Sequence, residues 1–232
     1  MLSFGVAVAS LAVSASGDYR VALAAGDLPE CRYDDVTTTY KGFNQWRKTL
    51  IDSIYRLPRA SMPPPRLVST DRANVRGNEK VRDFVIADLK ALVRAARMDN
   101  ARLKVVSGYR GWSEQKWLYD REVENLGVEQ GRMSVARPGH SEHHLGTTID
   151  FGSPDDNKAT WNHDDWAQTR AGGWLRQNSW RFGFVLSYPK GKTDVTCYKY
   201  EPWHYRYVGR EMAAELRGTS LTLREYLWRQ FH

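Results

Sequence analysis

Histidine and acidic residues are concentrated in two short segments of this chain. Residues 138–150 contain three of the six histidines and end in an aspartate. Residues 200–207 contain a glutamate and a histidine three positions apart. Imidazole and carboxylate groups from two separate segments are what a catalytic zinc ion needs, with three protein ligands and an open position for water. Such an ion can acidify its water and polarise a carbonyl group.

The same residues also allow a simpler interpretation, because a histidine-rich loop is often only a solvated loop. A lone Glu-x-x-His pair is a weak signal. Pro202 favours an extended backbone at Glu201, which excludes the helical His-Glu-x-x-His arrangement. A metal site here would therefore be built on strand ends and loops, and residue types alone leave both interpretations open.

Predicted helices and strands follow one another irregularly along the chain. Hydrophobic spacing predicts helices over residues 40–55, 79–98, 164–177, 210–216 and 223–230, and a further helix that begins at Ser113. Apolar, aromatic and β-branched runs predict strands over residues 103–106, 147–151, 184–188 and 203–208. Since no regular β-α-β alternation is present, we expect an α+β fold with a small, mostly antiparallel sheet flanked by helices.

The first 30 residues differ from the rest. Residues 1–17 carry no charge and Ala22-Leu23-Ala24 reads like a cleavage site, although the basic n-region of a secretory signal is missing. We expect a signal-like or disordered segment over residues 1–30, a helical extension with a proline-rich connector over residues 31–65, and the main domain over residues 66–232. No apolar run reaches the length needed to span a bilayer.

The overall composition is globular and basic. Hydrophobic residues make up 41% and charged residues 26%, which argues against wholesale disorder. The 34 Lys and Arg exceed the 27 Asp and Glu by seven, which favours an anionic partner such as nucleic acid, a membrane surface or a cell-wall polymer. No recognition motif accompanies the charge, so we do not expect nucleic acid. We expect a monomer.

Two cysteines, Cys31 and Cys197, exclude a disulfide-scaffold fold and a four-cysteine zinc site. Outside the cytoplasm they would form one bridge, and otherwise they would be two buried thiols. The sequence leaves both possibilities open.

The motifs around the candidate site resemble those of D-alanyl-D-alanine carboxypeptidases of the VanY and LdcB kind. The pattern Ser141-x-His143-x-x-Gly146-x-x-x-Asp150 is similar to their zinc signature, and Glu201 to Gly209 nearly matches their C-terminal motif. Residues 107–110 with Gln115 resemble their substrate-binding turn. The resemblance covers roughly residues 103–209, and the ordered combination of motifs is highly specific.

The resemblance assigns a metal and a base. It implies that His143, Asp150 and His204 bind Zn²⁺. Glu201 would be the general base, which takes a proton from the metal-activated water and delivers it to the leaving amine.

The resemblance also assigns a substrate pocket. Arg110 would hold the terminal carboxylate of the substrate or support the developing oxyanion. Gln115 and Ser141 would complete the pocket with neutral hydrogen bonds. His140 and His144 are expected to be loop residues, with a supporting role as the alternative.

Two positions depart from the family pattern. Thr148 replaces a small apolar residue, which leaves the chemistry intact because no ligand stands there. Ser187 replaces an arginine that commonly precedes Tyr-Pro, which affects the expected preference for substrate side chains.

The implied protein is a zinc peptidase with the fold of Hedgehog proteins and D-Ala-D-Ala peptidases, which removes C-terminal D-alanine from peptidoglycan stem peptides outside the cytoplasm. Three alternatives stay open: an L,D-carboxypeptidase acting on tetrapeptide stems, a peptidoglycan endopeptidase of the phage-lysin type, and an inactive metal-bearing wall-binding module. The presence of Glu201 argues against the last.

Overall fold

Four short strands form the sheet at the centre of the protein, whose computed structural model describes residues 26–232. The strands are β5 (Lys104–Ser107), β6 (Thr148–Gly152), β7 (Phe184–Leu186) and β8 (His204–Tyr207). They lie in the order β5-β6-β8-β7, and each neighbouring pair is antiparallel. This arrangement confirms the predicted α+β class and the small antiparallel sheet.

The central strands carry the site because both are buried. Strand β6 is buried along its whole length, and so is strand β8. β-Branched and aromatic residues such as Ile149, Phe151 and Tyr205 suit such a pleated, covered surface. The register places Asp150 of β6 directly opposite His204 of β8.

Helices cover the sheet in the described part of the chain. They are α1 (Ile86–Met98), α2 (Trp112–Ser134), α3 (Arg170–Asn178), α4 (Thr193–Thr196), α5 (Arg210–Arg217) and α6 (Leu223–Phe231). Helix α1 buries Leu89, Leu92, Val93 and Ala96, at the spacing of one helix face, in the same hydrophobic cluster as Ile149 of the sheet.

Helix α2 begins directly after Arg110, one of the predicted site residues. Its N-cap is Gly111, so it starts slightly earlier than the predicted start at Ser113. Gly127, at φ +78°, breaks the helix, and the last turns fold back so that Gly131 packs against the backbone of Val123. The first turns remain fixed, because Gln115 is fully buried.

The helix predicted over residues 40–55 is wrong. Residues 31–65 contain two single 3-10 turns, Phe43–Gln45 and Arg59–Ser61, and no α-helix. The Asp52 carboxylate accepts hydrogen bonds from the backbone N–H groups of Ile54 and Tyr55, at 2.8 and 2.7 Å. Such side-chain bonds to nearby backbone compete with a helix. The apolar residues of this segment are buried because it wraps against the domain, not because it is helical.

Two other predicted helices start too early. Residues 80–82 form strand β4 (Lys80–Arg82), which pairs with β3 (Leu67–Ser69), so helix α1 begins only at Ile86. Residues 166–168 form a 3-10 turn before helix α3. In the first case, the pairing of β4 with β3 takes the place of the helix that the hydrophobic spacing predicts.

The segment before residue 66, which we name the N-terminal arm (residues 26–65), is attached to the domain at several points. A disulfide joins Cys31 to Cys197, with the Cα atoms 5.3 Å apart. Strands β1 (Val36–Thr37) and β2 (Tyr55–Arg56) form a short parallel pair within the arm. Leu50 belongs to the hydrophobic cluster that contains Val185 and Val208.

The signal-like segment predicted at the N-terminus lies largely outside the described residues, since the structure describes the chain from residue 26. From there to residue 232, no helix combines the length and the apolar character that a bilayer crossing requires.

Candidate metal centre and substrate pocket

Three predicted ligands meet at the centre of the sheet. His143 lies in the 3-10 turn Glu142–Leu145, immediately before strand β6. Its Nε2 is 3.2 Å from Oδ2 of Asp150, and Nδ1 of His204 is 3.1 Å from Oδ1 of the same carboxylate. One donor atom from each residue lies within 4.8 Å of the other two. Within residues 26–232, no other group of three His, Cys, Asp or Glu side chains has this geometry.

Gly146 makes the turn that delivers His143 possible. It ends the 3-10 turn in the left-handed region, at φ +66°, where side chains are strained. A Cβ atom there would also lie 2.9 Å from Leu67 Cδ2 and 3.1 Å from Arg82 Cγ. The glycine of the signature is therefore required for the chain to pass from the turn into strand β6.

The donor set fits a metal ion. Oδ1 of Asp150 and Nδ1 of His204 are buried and make no hydrogen bond. Buried polar atoms without partners are costly, and a bound cation would satisfy both atoms. Two imidazole nitrogens and one carboxylate oxygen are ligands that zinc accepts.

The surroundings fix which ring nitrogen of each histidine faces the site. Nδ1 of His143 lies 2.6 Å from the Gly108 carbonyl oxygen, so it carries the proton and leaves Nε2 free. Nε2 of His204 lies 3.1 Å from Oε2 of Glu142, which leaves Nδ1 directed at Asp150. Hydrogen bonds of this kind orient metal-binding histidines.

Charge and burial shift the acid–base properties of these groups. Burial opposes ionisation of Asp150, but the two neighbouring histidines outweigh it and hold its pKa well below the usual range. Burial lowers the pKa of His143. Burial also opposes the charged form of His204, yet three surrounding carboxylates raise its pKa well above the usual value.

Glu201 lies at the edge of the donor set. Its Oε2 is 3.3 Å from Nδ1 of His204, and its backbone N–H donates to the Tyr188 carbonyl at 3.2 Å. Burial raises the pKa of Glu201. A carboxylate of raised pKa beside a metal site suits a general base near neutral pH.

Arg110 lies beside the Asp150 carboxylate. Its Nη2 lies 3.6 Å from Oδ2 of Asp150 and donates to Ser107 Oγ at 3.0 Å. Nη1 donates to Oε1 of Gln115 at 3.0 Å. The amide nitrogen of Gln115 donates to the Ala136 carbonyl at 2.6 Å. Both ends of the Gln115 amide are thus engaged, and its oxygen holds Nη1 of Arg110.

Ser141 and His140 precede His143 in the loop. Ser141 is buried at the start of the turn that carries His143. His140 lies 2.7 Å from the Asp52 carbonyl through Nδ1 and 3.0 Å from Asp35 through Nε2, away from the donor set.

His144 supports the loop that carries Arg110. Its Nδ1 lies 2.7 Å from the Arg110 carbonyl, and its Nε2 accepts the Gly139 N–H at 3.0 Å. Burial lowers the pKa of His144 to about 4, so the ring is neutral and its two nitrogens keep these roles. It is therefore a supporting residue for the Arg110 loop and not a loop residue without contacts.

Glu142 was missed by the sequence analysis, which treated its position in the signature as variable. The two departures from the family pattern both contact it. Ser187 Oγ donates to its carboxylate at 2.6 Å, and Thr148 Oγ1 donates to its backbone carbonyl at 3.2 Å. No local sequence signal marks this residue, because its side-chain partners are distant in the chain.

The fold and the donor set are of the kind expected in the class of zinc peptidases. Residues 78–210 match the family model VanY, D-alanyl-D-alanine carboxypeptidase, and the chain belongs to this family. The D-alanyl-D-alanine carboxypeptidase of Enterococcus faecalis is 34% identical over 174 residues, which are 71% of this chain and 62% of that protein. The chain thus spans slightly less than two thirds of this relative.

Two solved structures are similar to the chain. The LD-carboxypeptidase LdcB has a TM-score of 0.70 and 34% identity, with 78% of this chain and 85% of that chain covered. A mutant of the D,D-pentapeptidase VanY in complex with Zn(II) has a TM-score of 0.66 and 31% identity, with 78% of this chain and 99% of that chain covered. That second structure contains Zn(II), and the His–Asp–His donor set of this chain consists of ligand types that zinc accepts.

Proposed function

We propose that the protein is a zinc-dependent D,D-carboxypeptidase that removes the C-terminal D-alanine of peptidoglycan stem peptides. The observation that carries the proposal is the buried donor set with the Glu201 carboxylate at its edge. The similarity to the E. faecalis enzyme and to zinc-bound VanY supports the reaction and the substrate class.

The metal ligands in this proposal are His143 through Nε2, Asp150, and His204 through Nδ1. A zinc ion held there supplies a Lewis acid, which acidifies a water molecule and polarises the scissile carbonyl. The antiparallel pairing of β6 and β8 keeps the donor atoms of Asp150 and His204 in place before any ion binds.

Glu201 moves the proton. It takes a proton from the attacking water as the water oxygen bonds to the carbonyl carbon of the penultimate residue. The C–N bond to the terminal D-alanine then breaks, and Glu201 returns the proton to the amine nitrogen that leaves. The burial that raises the pKa of Glu201 makes its carboxylate a stronger base for the first transfer.

Arg110 binds the terminal carboxylate of the substrate, with Ser141 beside it. Its planar guanidinium suits bidentate binding of a carboxylate, and Gln115 and Ser107 hold it in a fixed orientation. An arginine in this place can also stabilise the oxyanion that develops on the scissile carbonyl.

The cell wall outside the cytoplasm is the proposed place of action. A disulfide between Cys31 and Cys197 supports an oxidising compartment. The peptidoglycan stem peptide is the proposed partner, and a monomer remains the expected state.

The similarity to LdcB favours a second candidate function, an L,D-carboxypeptidase that acts on tetrapeptide stems. Zinc-loaded protein should be incubated with synthetic pentapeptide, tetrapeptide and cross-linked stems, and every released product identified. Release of D-alanine from the pentapeptide alone supports the D,D activity, and release from the tetrapeptide alone supports the L,D activity. Cleavage only within the cross-linked stem would establish an endopeptidase, and no release from any stem would leave a wall-binding module.

A further inference from the structure

Glu142 is a buried carboxylate that the proposed mechanism does not use. Its side chain is 5% exposed and accepts hydrogen bonds from three residues. Oε2 lies 3.1 Å from Nε2 of His204 and accepts from Ser187 Oγ at 2.6 Å. Oε1 accepts from Nη1 of Arg206 at 3.0 Å. Three of the roughly four acceptor directions of a carboxylate are thus taken by side-chain donors, which hold this carboxylate in place.

Arg206 connects this carboxylate to the N-terminal arm. Its side chain is fully buried, and Glu142 is its one carboxylate partner in the described part of the chain. Its Nη2 donates to the carbonyl oxygens of Trp46 and Thr49, at 2.8 and 2.7 Å. A buried cation needs such partners, because an unpaired charge in the interior is strongly destabilising.

We propose that Glu142 is a positioning residue of the metal centre. Its carboxylate accepts the Nε2 proton of His204, which directs Nδ1 at the metal, and Arg206 anchors it to the carbonyls of the arm. The inference rests on the proposed role of His204 as a ligand. In this role Glu142 contacts neither the metal nor the substrate and acts through the His204 imidazole.

The physical effect follows from the charge of Glu142. A carboxylate that accepts the second ring proton of a histidine fixes the orientation of the ring and increases the basicity of the other nitrogen. A neutral amide would keep a weaker acceptor but lose this polarisation. A shorter carboxylate would keep the charge beside Arg206 but withdraw from His204. The two changes weaken the same contact for different reasons.

Ser187 and Thr148 belong to the same arrangement. The Ser187 hydroxyl occupies the second acceptor direction of Oε2, and Thr148 holds the backbone carbonyl of Glu142. These are the two positions at which the sequence departs from the family pattern. Thus the chain supports Glu142 with neutral hydroxyl groups in addition to Arg206.

The test compares the zinc affinity of Glu142→Gln, Glu142→Asp and the wild type, by competition with a chromogenic chelator at one fixed pH. Both variants should bind zinc about 10- to 100-fold more weakly, the usual effect of removing a partner of a liganding histidine. Glu124→Gln, on the exposed side of α2, is the matched control and should bind zinc as the wild type does.

A second measurement reports on the imidazole directly. In zinc-loaded protein labelled with ¹⁵N-histidine, the Nε2 proton of His204 should give a downfield resonance in the wild type. The resonance should move upfield or exchange away in both Glu142 variants and stay in place in Glu124→Gln. Should Glu142→Gln fail to fold without its charge beside Arg206, Glu142→Asp still decides the question.

The outcomes separate this inference from the proposed function. A folded Glu142 variant with wild-type zinc affinity and an unmoved His204 resonance would overturn the positioning role alone. If the wild type binds zinc no better than His204→Ala, the ligand assignment itself fails, and the positioning role fails with it.

Discussion

Asp150 and His204 stand directly opposite each other on strands β6 and β8, and Oδ1 of the aspartate lies 3.1 Å from Nδ1 of the histidine. Cross-strand partners on a central pair of strands cannot move apart without breaking the sheet. Sites built on strands are held more closely than sites built on loops. Two of the three proposed ligands are therefore fixed by backbone hydrogen bonds, and only His143 depends on a turn.

Replacing either strand ligand should remove the metal. Asp150→Asn and His204→Ala should each weaken zinc binding by more than about 100-fold, beyond the effect expected of an outer partner. Chelator competition measures this directly. Asp155→Asn, a half-exposed aspartate paired with Arg102, provides the control and should bind zinc normally. Full zinc occupancy in His204→Ala would contradict the assignment.

Glu201→Gln should separate metal binding from turnover. The amide keeps the shape of the side chain but cannot accept the proton from water. We expect zinc content near that of the wild type and a loss of about 10² to 10⁴ in kcat, the usual contribution of a general base. Metal analysis and release of D-alanine from a pentapeptide give the two values. Near-normal turnover would show that another group is the base.

Amidation of the substrate C-terminus should nearly abolish cleavage. Gln115 and Ser107 hold the guanidinium of Arg110, and in the proposed function this fixed fork binds a carboxylate rather than a neutral amide. The loss should correspond to roughly 2 to 5 kcal/mol in kcat/KM, because a buried charge loses its partner. Arg110→Lys should damage cleavage of the free peptide, since an ammonium cannot form the bidentate contact. Equal cleavage of free and amidated peptides would favour the endopeptidase alternative.

The disulfide should contribute measurably to stability. The two cysteines are separated by 166 positions, so the bond constrains a long loop in the unfolded chain. The double variant Cys31→Ser, Cys197→Ser should unfold at lower denaturant concentration, by about 2 to 5 kcal/mol. Wild-type protein measured under reducing conditions is the control and should match the variant. Two alkylatable thiols in protein recovered from an oxidising compartment would contradict the bridge.

His140 should make stability sensitive to mild acid. Burial lowers its pKa in the folded protein, and its hydrogen bond to Asp35 lowers the pKa of that carboxylate. Below the usual histidine pKa of 6.5 the unfolded chain takes up a proton that the folded ring resists. The stability from this group is thus present above that pH and lost as the pH falls. Between pH 7 and pH 5, the free energy of unfolding should fall more steeply in the wild type than in His140→Gln. Parallel curves would exclude the effect.

The resemblance to the family motifs predicted that His143, Asp150 and His204 meet, and the pairing of β6 with β8 places Asp150 opposite His204. Residues 40–55 could not be predicted in the same way. The intervals between Trp46, Leu50 and Ile54 match a helix. In the structure these residues are buried because the segment wraps against the domain, and the Asp52 side chain bonds to nearby backbone in place of a helix. Strand β4 forms by pairing with β3, and the spacing of neighbouring residues carries no information about that pairing. The role of Glu142 depended on Arg206, 64 positions away.

The contact between Arg206 and the N-terminal arm makes the structural unit larger than the segment that the family model matches. The family match begins at residue 78, yet a guanidinium inside that match takes its acceptors from the carbonyls of Trp46 and Thr49. A gene fusion that cut the chain at the start of the match would leave that cation with the Glu142 carboxylate but without its two carbonyl acceptors. The matched domain therefore depends on the backbone path of the arm at Trp46 and Thr49.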